Sequence, residues 1–170
     1  PNNNTWTGTN DFTNGLTSKG AGLGTTRIGD LAGATTQGIY SVAIGNAAGQ
    51  TTQSVGCVAV GSNAGATTQG QQAVAVGQSA GSSAQGTLAV AIGLNSGLTS
   101  QGASSVAIGN GAGSTTQGGS SVAVGQGAGQ DAQGDDGISI GRFAGNNDQG
   151  ESGIALGLQA GQDSQGSNAV

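Results

Sequence analysis

One interval governs this chain. Aliphatic-glycine pairs fall at Ile28-Gly29, Ile44-Gly45, Val60-Gly61, Val76-Gly77, Ile92-Gly93, Ile108-Gly109, Val124-Gly125, Ile140-Gly141 and Leu156-Gly157, each sixteen residues after the last without insertion. A second glycine follows four residues after the first in every unit, from Gly33 to Gly161, and a glutamine recurs at the same interval from Gln37 to Gln165. Unbroken repetition at a short period is the mark of a solenoid, in which each unit is stabilised by stacking on its neighbours.

Within a unit, the residues before the glycine alternate. Ser41-Val42-Ala43-Ile44 and Ala73-Val74-Ala75-Val76 place large aliphatics on one face and Ala or Ser on the other, the period-two pattern of a strand. A helix is excluded because β-branched residues alternate and glycine closes every run. Sixteen residues hold a short strand, a glycine-assisted turn, a second short segment and another turn. The expected fold is therefore all-β, a parallel β-solenoid with 16-residue coils. Coils advance by about 4.8 Å, so nine make a rod on the order of 43 Å long.

Composition agrees with a thin coil. The chain has 37 glycines in 170 residues, only 6% charged residues, and Trp6, Phe12, Tyr40 and Phe143 as its aromatics, too few bulky groups for a deep single-chain core. Disorder is disfavoured by the fixed placement of valine, isoleucine and alanine. Collagen is excluded because glycine does not recur at every third position.

The alternation sets two expectations. Val42, Ile44, Val58, Val60, Val74, Val76, Val106 and Ile108 are expected to point into the coil as its structural core. The opposite face, with Ala43, Ala59, Ala75, Ala91, Ala107, Ala123 and Ala155, carries side chains too small for an ordinary solvated surface. It is expected to be a subunit interface, with three chains around an axis as the favoured count and two as the alternative. Ala48, Ala64, Ala80, Ala112, Ala128, Ala144 and Ala160 are expected on the opposing wall, with Ser96 as the polar exception. The recurring glutamines fit two roles equally, amide ladders between coils or solvated turn residues.

The units SVAIGNAAG, AVAVGQSAG, SVAIGNGAG and SVAVGQGAG closely resemble the head repeats of YadA-like trimeric autotransporter adhesins, with related repeats in viral and phage fibre proteins. The resemblance spans about residues 26–170. It implies a left-handed parallel β-roll assembled as a homotrimer, a rigid head that holds binding surfaces away from a cell or particle. In that frame Ala43 and its period mates face the trimer.

The opening segment, residues 1–25, departs from the repeat and more loosely resembles the lead-in of phage and large-virus fibres. It is expected to act as a cap or stem connection, because a terminal coil leaves a bare strand edge. This likeness favours a fibre on the virion surface over the bacterial outer surface.

Little in the chain suggests chemistry. There is no histidine, and the single cysteine, Cys57, occupies the register of Ser41 and Ala73. An interchain disulfide near a symmetry axis is the alternative to plain packing there. Six of the eight carboxylates follow residue 130, without the spacing of a calcium loop. No enzyme activity, cofactor or metal is expected. The net charge of −5 argues against nucleic acid, and no stretch is long or apolar enough for membrane insertion.

The expected partners are further copies of the chain and a cell-surface glycan or protein receptor. Leu94, Arg142 and Phe143 stand out, because most units carry small or polar residues in those turn slots; they are expected either to pack against a neighbour or to make receptor contact. A rival role is ice or crystalline-polysaccharide binding. It rests on the paired threonines Thr35-Thr36, Thr51-Thr52, Thr67-Thr68 and Thr115-Thr116, whose series breaks at Ser83-Ala84, Asp131-Ala132 and Asn147-Asp148.

Overall fold

A computed structural model describes residues 24–170. Residues 1–23, nearly all of the expected cap, lie outside the described residues. The described chain is a parallel β-solenoid whose coils repeat every sixteen residues, as the strand registers show. Among the described residues one wall is a nine-stranded parallel sheet, running in chain order from Thr26–Ile28 to Ile154–Leu156. The facing wall is an eight-stranded sheet of segments two or three residues long, from Thr36–Gln37 to Asn147–Gln149.

Stacking is in register throughout. Val42 pairs with Val58, Ala43 with Ala59 and Ile44 with Val60, and the next coil repeats the pattern. The turns join the same ladder: Gly45 N–H donates to Ile28 O at 2.7 Å and Ala47 N–H to Asp30 O at 2.8 Å. Corners as well as strands therefore have backbone partners in adjacent coils, which suits a chain with few large apolar groups.

Two glycine files make this stacking feasible. At Gly61, φ is +129°, and an added Cβ would lie 2.5 Å from the carbonyl oxygen of Gly77 in the next coil. Both the conformation and the approach require glycine there. At Gly49 a Cβ would meet the Gln53 amide carbon at 2.8 Å, so this glycine clears space for a side chain inside the coil.

The core reverses the expected sidedness. Ala43, Ala59, Ala75, Ala91, Ala107 and Ala123 have no exposed surface within the single chain, and Ala155 has 1%. They point inward, toward Ala48, Ala64, Ala80, Ala112 and Ala128 on the other side of the coil. Val42, Ile44, Val58, Val60, Val74, Val76 and Val106 are only half-buried, while Ile108 is exposed. The alanines expected at an interface thus form the interior of the coil, and the aliphatics expected in the core face outward.

The gap between the walls explains the exchange. The Gln53 amide extends from the short-stranded wall to donate to Val42 O on the other wall, at 2.8 Å. The same bond recurs from Gln69 to Val58 O at 2.9 Å and from Gln117 to Val106 O at 2.8 Å. One glutamine spans the interior, leaving methyl-sized space beside it. The buried amide nitrogens are accommodated because they are hydrogen-bonded, whereas the Oε1 atoms of Gln53 and Gln117 have no partner.

Candidate functional site

The alternating strands turn their aliphatic side chains outward. Ile28, Ile92, Ile108, Ile140 and Leu156 are exposed, forming a file with the half-buried Ile44, Val60, Val76 and Val124. Val42, Val58, Val74, Val90, Val106 and Val122 form a parallel half-buried file two residues earlier. Neighbouring members of each file are strand partners, so the two files make a continuous apolar face along the sheet. An ordered apolar surface of this kind is uncommon on a lone soluble chain.

The opposite sheet is polar. Thr52, Thr68 and Thr116 are exposed and occupy one strand register. That register also contains Ala84, Ser100, Ala132 and Asp148, so the hydroxyl file is interrupted.

Inside the coil, the glutamines form partial ladders. Gln53 donates to Gln69 at 3.2 Å, and Gln117, Gln133, Gln149 and Gln165 form a continuous run at 3.0–3.3 Å. These side chains are not solvated turn residues. The run breaks between Gln69 and Gln117, where the Oε1 atoms of Gln85 and Gln101 have no partner.

Cys57 is also interior. Its thiol donates to Gly70 O at 2.8 Å, and burial pushes its pKa up. With no exposed surface, it is in no position to bridge chains as the alternative reading required.

The three residues expected to meet a receptor are separated. Arg142 and Phe143 form one corner, with the guanidinium carbon 5.5 Å from the ring centroid. Leu94 lies three coils away, roughly 14 Å along the axis at the usual strand spacing.

Phe143 instead closes one end of a trough of about 220 Å³. Asn95 and Leu98 lie at the other end, with Gly111 and Gly127 between. The sequence clue was available in the file Ala47, Asn63, Ser79, Asn95, Gly111, Gly127, Phe143: two successive members lack a side chain just before the single aromatic.

Among the described residues, no group of three or more His, Cys, Asp or Glu side chains converges as a metal site, and no helix is long and apolar enough to cross a membrane. Comparison of the chain with protein-family models, curated proteins and solved structures finds no match in any of the three.

Proposed function

We propose that this chain is a non-catalytic, rigid segment of an attachment fibre, assembled as a homotrimer of left-handed coils. The observation that carries this reading is the continuous outward aliphatic face on an otherwise regular solenoid. Ile92, Ile108 and Ile140 leave 39%, 37% and 42% of their surface exposed. Covering the remainder is worth roughly 0.6–1.2 kcal/mol per side chain, taking about 1.5–3 kcal/mol for complete burial. Repeated along the rod and over several subunits, these contributions are large enough to drive association.

The chemistry follows from mechanics. In-register coils supply length and stiffness, while symmetry multiplies weak lateral contacts into avidity. Such a segment suits a virion fibre, the reading favoured by the likeness of residues 1–25 to viral lead-in segments. A bacterial surface adhesin head uses the same physics.

Sedimentation equilibrium with small-angle scattering tests the proposal. An elongated trimer is expected, and a compact monomer overturns it. The threonine register on the opposite sheet supports a second reading, adsorption to ice or a crystalline polysaccharide. That role predicts thermal hysteresis or retention on the solid polymer, whereas the fibre role predicts neither.

A further inference from the structure

We propose that the trough between Phe143 and Asn95 binds a single neutral pyranose ring. This deepens the fibre reading by assigning a ligand class to one lateral site on each chain.

The trough is specific to one stretch of the rod. In its turn register the other described coils carry side chains, but Gly111 and Gly127 leave this stretch open. The two glycines serve different ends. A Cβ on Gly127 would strike the Phe143 ring at 2.6 Å, so this glycine seats the aromatic. A Cβ on Gly111 would meet nothing within 4 Å, so the space above it is open. Backbone conformation does not demand glycine at 111: its φ is +67°, while Asn63 and Asn95 in the same register hold +57° and +56°.

The lining suits a sugar. A pyranose has a face of polarised C–H groups, which the electron-rich face of an aromatic ring attracts. Phe143 is the aromatic residue that lines one end. Asn95, Asn110 and Gln126 line the trough, and their side-chain amides have no hydrogen bond within the described chain. Each amide both donates and accepts, matching hydroxyl groups that do the same.

All residues lining the trough are uncharged, which favours a neutral ligand. Nearby Arg142 already lies over the Phe143 ring. The volume of about 220 Å³ falls below the roughly 300–1,000 Å³ of pockets for drug-sized molecules, and so suits one ring.

The test titrates the assembled protein with methyl glycosides of glucose, galactose, mannose and N-acetylglucosamine, using ligand-observed NMR; N-acetylneuraminic acid supplies an acidic arm. At least one neutral glycoside is expected to bind in the millimolar range. Gly111→Gln fills the trough with a residue type already present in this register at Gln159, and Phe143→Ala removes the aromatic end wall. Each is expected to weaken binding at least tenfold, with unchanged circular dichroism, while Thr68→Ala on the opposite sheet leaves binding intact.

Absence of binding by every neutral glycoside overturns the proposal, as does binding that survives both trough variants or occurs only with the acid. Sedimentation of the same samples separates this result from the fibre reading. A trimer that binds no sugar refutes only the trough, and a compact monomer that binds sugar refutes only the fibre.

Discussion

Replacing Gln133 and Gln101 by leucine, one at a time, should have different consequences despite their shared register. Gln133 is 2% exposed and bonded in several directions. Its Nε2 lies within bonding distance of Val122 O at 2.9 Å, Gly137 O at 3.1 Å, Gln149 Oε1 at 3.1 Å and Ser139 Oγ at 3.2 Å. Its Oε1 accepts from Gln117 at 3.3 Å. An amide nitrogen carries two protons, so about three bonds are lost together, one of them accepted. At about 0.5–1.5 kcal/mol net per bond, the cost is roughly 1.5–4.5 kcal/mol.

Gln101 is 3% exposed, but its one side-chain bond is to Val90 O at 2.8 Å, and its Oε1 has no partner. Leucine there removes one bond and also an unpaired buried oxygen. Those effects are each on the order of 1 kcal/mol and oppose one another.

Thermal unfolding followed by circular dichroism measures the contrast. For a chain of this size each kcal/mol shifts the midpoint by about 2–4 °C. Gln133→Leu is expected to lower it by roughly 6–12 °C, taking the middle of the estimated range, with little change in Gln101→Leu. Equal shifts for the two variants would refute the reasoning, because they would make glutamine merely a space-filler of the interior.

Ala75→Leu should destabilise the coil itself, by roughly 1–3 kcal/mol or more, because Ala75 has no exposed surface between closely spaced walls. A variant that melts like the parent would place that side chain outside the coil. Ile108→Asp should leave the strand content intact while shifting sedimentation toward monomer, since it places a charge on the outward aliphatic face. An unchanged trimer would locate the interface elsewhere.

The Cys57 thiol should resist alkylation at pH 8 until the chain is unfolded, because burial raises its pKa and conceals the sulfur. Its folded pKa lies above the unfolded one, so the neutral thiol's contribution to stability is intact at low pH. That contribution declines as pH rises beyond the ordinary thiol value of 9.0. Rapid native alkylation would contradict this burial, and Cys57→Ser should remove the alkaline component.

The sixteen-residue coil, the in-register stacking and the alternating strand were legible in the residues alone. Each follows from local chemistry repeated at a fixed interval: β-branched residues at period two and glycine at corners. The phenylalanine corner was also visible as an outlier, whereas Asn95 and Leu98 at the other end of the trough did not stand out in the sequence. Two empty positions form that site, and an absent side chain acquires meaning only when neighbouring coils surround it.

Which face of the strand became the interior depended on the packing of one wall against the other. Alternation separates Ala43 from Val42 and Ile44 but does not say how far away the opposing wall will stand. Here one glutamine side chain, Gln53, is long enough to cross the gap and donate to Val42 O at 2.8 Å, and a gap of that width holds methyl groups while the larger aliphatics face outward.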